Sequence, residues 1–257
     1  NYLRHSNEHD VWTGLRNRRF LEKLLKHDAQ VWPLQRSALV GINLSTVNSL
    51  TVTFGFHYSQ ELIKQVANAL QSHCSDNCEL YHTYEYRFVF YIKSYNSQDE
   101  LASFSETVAS TLESLLAAER IGAGIGIVEM DQYNKHNVDQ LLKNLLIASE
   151  KALGIVDQDF GLCFFNQDME TEILREEEIT RELAEIAAKE YDDRLFLQFQ
   201  PIVDLQTDQI CAFEALARLN SNKLGLIPPL EFIPIAEKTK LIIPLGKKII
   251  LQAFNFL

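Results

Sequence analysis

Residues 78–92 read CELYHTYEYRFVFYI. The run is aromatic and β-branched, which suits a pleated, half-buried strand. Glu85 breaks it in the middle, so 78–84 and 86–92 are expected to be two strands of a hairpin. Glu85 and Arg87 sit at its turn. From residue type alone they are either a solvated strand end or the remnant of a site, and both readings stay open.

Outward from the hairpin, strands and helices alternate. ALVGINL (38–44) is a short apolar strand, and 60–72 places Leu62, Val66, Ala69 and Leu70 on one helical face. A helix is expected to follow Thr13-Gly14, with Leu21, Leu24 and Leu25 at helical spacing. Beyond the hairpin come an amphipathic helix from Asp99, the strand IGAGIGIVEM (121–130), a helix capped by Asn137, and the strand FGLCFF (160–165). The order β-α-β-β-α-β with an added α-β predicts an α+β unit, an antiparallel central sheet flanked by helices.

A Glu-rich helix over about 170–189 follows, with Ile179, Leu183 and Ile186 as its one apolar stripe and its charges read as a solvated face. The pattern then restarts with strands at 194–205 and 209–219 and helices at 228–240 and 243–257. At 46% hydrophobic and 23% charged the chain is globular, and its net charge of −11 argues against a nucleic-acid polymer as partner. No apolar run reaches the length of a membrane span, so no membrane contact is expected. Position 1 is not Met and the last residues lie inside an apolar pattern, which gives the expectation of a piece cut from a longer protein. The four cysteines, Cys74, Cys78, Cys163 and Cys211, suit reduced core thiols in the cytoplasm, three of them lying in or beside apolar strands.

Three stretches could carry chemistry. Gly122, Gly124 and Gly126 lack the spacing and the following helix of a dinucleotide loop, and read as a strand under close backbone packing. HCSDNC (73–78) offers a His and two Cys for a metal, or is a loop with unpaired cysteines. Glu214 and Arg218 lie four apart in a strand and so share a face. They are either a metal-and-phosphate pair or a structural ion pair.

Residues 195–257 resemble the start of an EAL domain, the cyclic di-GMP phosphodiesterase family. LQFQPIVDLQTDQICAFEALARL carries the Gln-Pro-Ile-Val-Asp-Leu step and the Glu-Ala-Leu signature with its later Arg. GLIPPLEFIPIAEKTKLIIPLG continues the likeness, which departs at Leu219, where the family has Trp, and lacks the His-Pro pair that follows. The resemblance implies the first βα elements of a TIM-type barrel, with Glu214 as a ligand to Mg²⁺ or Mn²⁺ and Gln200 and Arg218 on the phosphates of cyclic di-GMP. The other site residues would lie beyond Leu257, so this stretch alone is expected to hydrolyse nothing and to hold no metal.

Residues 10–168 likewise resemble a GGDEF domain, the diguanylate cyclase family. DVWTGLRNRRFL (10–21) is similar to its opening motif, Asp-x-Leu-Thr-Gly-Leu-x-Asn-Arg-Arg. On that likeness YEYRF (Tyr84, Glu85, Tyr86, Arg87, Phe88) stands in the place of Gly-Gly-Asp-Glu-Phe, and only Phe88 matches. Asn43 stands at the metal-binding Asp, Ser45 at a second Asp, and Thr51 and Gln60 at the guanine readers. The inhibitory Arg-x-x-Asp falls at Ser75 and Cys78. Two glycines admit a triphosphate, whereas Tyr84 and Glu85 fill or repel it.

The expected organisation is an upstream linker helix ending over 1–9, a degenerate GGDEF domain over 10–168, a connecting helix over 169–193 and the incomplete EAL start over 194–257. No diguanylate cyclase activity is expected. The implied role is a regulatory and dimerisation module between an upstream sensor and the rest of an EAL barrel that hydrolyses cyclic di-GMP. A GTP-binding sensor and a scaffold inactive in both domains are the alternatives. Exposed apolar edges of the barrel start lead to the expectation that it packs on its own GGDEF domain or on another copy.

Overall fold

The structure, a computed structural model, describes residues 8–155 and 159–256. Most of the linker helix expected over 1–9 lies outside the described residues. The chain divides into two compact units, Asn1–Glu170 and Thr171–Leu257.

The first unit is built on strands β1 (Arg16–Asn17), β2 (Ser37–Asn43), β3 (Cys78–Tyr84), β4 (Arg87–Ile92), β5 (Ala123–Met130) and β6 (Phe160–Phe164). Their order is β1-β3-β4-β2-β5-β6. The four central strands pair antiparallel, and each edge strand joins in parallel. Alternation sorts side chains to two faces. Val40, Ile42, Phe88, Phe90, Ile125 and Ile127 pack in one core with helices α2 (Val47–Phe54), α3 (Phe56–Gln71) and α4 (Gln98–Leu116). Leu39, Val89, Tyr91 and Val128 face the other way, onto α1 (Arg18–Val31) and α5 (Val138–Leu153).

Local chemistry sets the helix ends. Helix α1 begins at Arg18, later than expected, because Asn17 caps it by accepting the Phe20 N–H at 3.2 Å. The residues before it pair as β1 beside Tyr81 and His82. Asn137 caps α5 through the Gln140 N–H at 3.1 Å, and Ser97 caps α4 through Glu100. The short helix α2 was not expected, since its run VNSLTVTF is rich in residues of low helix propensity.

The second unit has a meander of β7 (Leu195–Asp204), β8 (Gln209–Ser221) and β9 (Gly225–Ile227), then helices α7 (Pro229–Lys238) and α8 (Ile242–Phe256). The pairing is antiparallel throughout, unlike the parallel strands of an ordinary barrel. Helix α6 (Gln167–Ala188) runs across the division between the units. Its Ile179, Leu183 and Ile186 are buried against Leu195, Leu219 and Ile227. One charge on α6 is not solvated: Glu182 is 2% exposed. It binds Arg194, the Ser221 hydroxyl at 2.6 Å and the Asn222 N–H, so its burial is offset by a full set of partners. The expectation for the cysteines also needs correction. Cys74 and Cys211 are exposed and only Cys78 is buried, because β8 stands clear of covering elements around Cys211, where Ile210 and Phe213 are exposed too. Among the described residues no helix is long and apolar enough to cross a membrane.

The glycines of β5 lie directly under α5. A Cβ on Gly126 would stand 2.4 Å from the Ser149 nitrogen, and one on Gly124 would stand 2.1 Å from the Ser149 carbonyl oxygen. These are backbone contacts that no side-chain rotation relieves. Gly126→Ala is therefore expected to destabilise the first unit by about 3 kcal/mol. A lowered urea midpoint at unchanged slope checks this, and a midpoint within error of wild type contradicts it.

Candidate functional site

The β3–β4 hairpin closes on a two-residue turn, Glu85-Tyr86, with Tyr84 paired to Arg87 and a bulge at Thr83. The Leu44 N–H donates to the Tyr86 carbonyl at 2.8 Å, which ties the turn to the end of β2. The two sides of the hairpin face different surroundings.

On one side the Tyr86 ring packs against the α2–α3–α4 core, and its hydroxyl lies 3.1 Å from Thr51 Oγ1 on α2. Burial, more than any neighbouring charge, raises the Tyr86 phenol above its ordinary range. Asn43 ends β2 opposite Arg87 and Gly124 and is fully buried. Its Oδ1 accepts the Ser45 N–H at 2.9 Å, and its Nδ2 is buried without a partner. A divalent cation needs anionic or carbonyl oxygen donors. Here the oxygen is already engaged and an N–H is the free group, so the residues present do not fit a metal ion at this place.

On the other side Arg87 pairs with Glu150 of α5. The Arg18 guanidinium donates to the Tyr84 hydroxyl at 2.7 Å and stands over its ring at 5.3 Å. Tyr84, Tyr86 and Arg87 are thus each held by a different neighbour. Gln60 lies on α3, and Ser45 follows β2 with its N–H on Asn43.

The base of the hairpin is fixed by a buried histidine that the sequence did not single out. His82 Nδ1 lies 3.0 Å from the Asp10 carboxylate, its Nε2 lies 3.3 Å from the Glu85 carbonyl, and its ring stacks on Phe88 at 4.6 Å. Asp10 also accepts the Thr13 N–H and hydroxyl at 2.8 and 2.9 Å. That Asx turn was legible in the Asp10–Thr13 spacing, but nothing in the sequence joins it to a strand residue 72 positions away. Burial alone would raise the Asp10 carboxyl. The His82 ring and the Thr13 donors outweigh it and hold the group well below the usual carboxylate range.

In the second unit Gln200 and Glu214 are direct cross-strand partners, and Arg218 is paired opposite Phe196 in the same register. Period two puts Glu214 and Arg218 on one face, as expected, and the pairing adds Gln200 to it. Arg218 Nε donates to Gln198 Oε1 at 2.7 Å, a partner other than Glu214. Glu214 is exposed and offers one carboxylate, a donor of the right kind for Mg²⁺ or Mn²⁺ but one of several such a site requires. Among the described residues no three His, Cys, Asp or Glu side chains converge on a common point. The HCSDNC stretch separates accordingly. His73 Nε2 bonds Thr111 Oγ1 at 2.9 Å, and burial pushes the Cys78 thiol up to about 12.

The chain belongs to the GGDEF family. The model of the diguanylate cyclase GGDEF domain matches residues 7–153, and that of the EAL domain follows in tandem over 183–257. It is 25% identical to the cyclic di-GMP phosphodiesterase PA2567 of Pseudomonas aeruginosa, across 98% of this chain and 42% of that protein. It is 26% identical to the bifunctional diguanylate cyclase/cyclic di-GMP phosphodiesterase MucR of the same species, across 95% of this chain and 36% of MucR. The chain spans less than half the length of these curated relatives. In fold it is similar to the S helix-GGDEF-EAL portion of Vibrio cholerae LapD bound to c-di-GMP, with a TM-score of 0.61 at 14% identity, covering 100% of this chain and 60% of LapD's.

The depressed Asp10 carboxyl carries a pH signature. A group held ionised in the folded state stabilises it above the ordinary carboxylate range, and the contribution fades as pH falls below about 4. Asp10→Asn is expected to be about 1–2 kcal/mol less stable than wild type at pH 7, with the gap closing towards pH 3. Urea midpoints at the two pH values measure it, and a gap that does not change with pH speaks against the assignment.

Proposed function

We propose that this chain comes from a cyclic di-GMP signalling protein of the cytoplasmic side. Its GGDEF domain, over 10–168, makes no cyclic di-GMP. It acts as a regulatory and dimerisation module for an EAL phosphodiesterase that begins at about 194, joined to it through the helix over 169–193. An upstream sensor would feed the module through the Asp10–Thr13 turn.

The observation that carries this reading is Tyr86. Its hydroxyl lies 3.1 Å from Thr51 Oγ1, and the resemblance puts Tyr86 at the acidic metal ligand of the family's hairpin and Thr51 at a guanine reader. Asn43, which the resemblance puts at the metal-binding Asp, offers an amide N–H in place of a carboxylate. A hairpin of Tyr84, Glu85, Tyr86 and Arg87 also gives up the glycine backbone that lets a triphosphate approach. Metal binding, base reading and the phosphate loop are therefore altered together.

In the EAL start, Glu214 would hold a divalent ion, which supplies an activated water and stabilises charge on the phosphodiester when bound. Gln200 and Arg218, on the same strand face, would orient the phosphates. Likeness to PA2567 and MucR, whose names state phosphodiesterase activity, supports this half of the reading.

The test is cyclic di-GMP hydrolysis by the whole protein that contains this chain, with Mg²⁺ or Mn²⁺. Turnover is expected, and Glu214→Ala is expected to reduce it at least about a hundredfold. No turnover with either metal leaves a scaffold and refutes the phosphodiesterase. Acceleration by GTP would replace the dimerisation role with a GTP-sensing one. On the cyclase side, combining Tyr84→Gly, Glu85→Gly, Tyr86→Asp and Arg87→Glu is expected to give no cyclic di-GMP from GTP, because Asn43 and Thr51 remain. Product from that variant, or from wild type, contradicts the loss assigned to the metal position.

A further inference from the structure

The face of the hairpin turned away from Tyr86 borders a cavity of about 420 Å³ between α1 and α5. Its floor is apolar, made by Gly41, Val89 and Leu145. Tyr84 and Leu146 stand beside it and remain 59% and 45% exposed, so apolar surface at its mouth is left uncovered. The Tyr84 wall is held in place by Arg18, which bonds its hydroxyl and covers its ring.

Three cations line the same cavity: Arg18, Arg87 and Lys143. Their carboxylate partners are Glu22, Glu150 and Glu170, and none of these lines it. Asp139 is the one acidic residue in the lining. An apolar recess of this size with cationic side chains at its mouth is the arrangement that takes up a ligand with a hydrocarbon body and an anionic head.

The polar groups of the wall narrow the class further. Thr83 Oγ1 donates to the Arg87 carbonyl at 3.3 Å, and Ser149 Oγ donates to the Leu146 carbonyl at 3.0 Å. Both hydroxyl protons are therefore engaged within the chain. A polar ligand edge placed against this part of the wall finds no hydroxyl donor. A hydrocarbon or aryl body loses nothing by that surface.

We propose that this cavity is a binding site for a compact amphipathic carboxylate, an aryl or short alkyl body of roughly a dozen heavy atoms, seated on Gly41 and Val89 with its anion at Arg18, Arg87 and Lys143. The ligand would touch α1, the hairpin and α5 at once. This lies on the opposite side of the hairpin from Tyr86 and is independent of the function proposed above.

The test is titration of the 257-residue chain with 2-naphthoate and with the neutral 2-naphthylmethanol, followed by calorimetry and by methyl NMR. Saturable binding of naphthoate is expected, with shifts at Val89, Leu142 and Leu146. Leu146→Trp, at a half-exposed rim position, should fill the recess and abolish it. Lys143→Gln should weaken naphthoate about two- to fivefold and leave the alcohol unaffected. Absence of saturable binding overturns the proposal. So does undiminished binding to the Leu146→Trp variant, which would put the ligand on another apolar surface. Equal affinity for the alcohol removes the anionic requirement and refutes the ligand class.

Discussion

The first unit depends on one close contact, the backbone of α5 laid directly on β5 and β6. Gly124 and Gly126 supply the surface on β5, and Gly161 supplies it on β6, where a Cβ would stand 1.9 Å from the Ala152 carbonyl oxygen. Two strands over, Leu145 occupies the space a side chain on Gly41 would need. A helix seated this low has little freedom to slide, since every small shift brings backbone against backbone. Its position then fixes what its exposed side chains can reach. Glu150 meets Arg87 at the hairpin, Lys143 meets Glu170, and Leu142 and Leu146 border the cavity.

The hairpin is fixed from three more directions. Packing holds Tyr86 and Phe88 against the α2–α3–α4 core. A hydrogen-bonded pair, half-buried Asp10 and buried His82, holds the base. The Leu44 N–H holds the turn. A loop that must open for a triphosphate cannot be bound so tightly through its own side chains. On the proposed reading, rigidity has taken the place of ligand access: the volume and polar contacts a nucleotide would use are filled by the chain itself.

Most of this fold was legible because periodicity is strong wherever one face is buried. Strands β2, β4 and β5 alternate cleanly between two cores, and α3 and α4 carry unbroken apolar stripes. Helix α2 was not legible, because Thr and Val weaken its propensity and tertiary contacts through Val47 and Leu50 decide it. Strands β1 and β9 are too short to show a period. For the site, the shared face of Glu214 and Arg218 followed from strand geometry alone, whereas Gln200 joins it only through the β7–β8 register. The partner of Asp10 did not, because His82 in a strand looks like any polar residue until the β1–β3 pairing brings it beside the opening turn.

Glu182 shows the same limit in the other direction. In a run as acidic as REEEITRELAEI, composition predicts solvated carboxylates, and for most of them that holds. Position decides the exception. Glu182 lies next to Leu183 and one turn from Ile179 and Ile186, so the stripe that buries those residues carries it inward too. Its charge is tolerated because Arg194 is anchored by Asp192 at 2.9 Å and turns a second donor toward it. Ser221 and Asn222 close the remaining oxygen positions from the end of β8. An ionic cluster of this kind adds little stability over an apolar replacement, but removing one partner strands the others. Its consequence is geometric. Leu could pack at position 182 in several rotamers and helix rotations, whereas a carboxylate that must meet Arg194, Ser221 and Asn222 together admits one. The register between α6 and β8, the strand that carries Glu214, is set by that requirement.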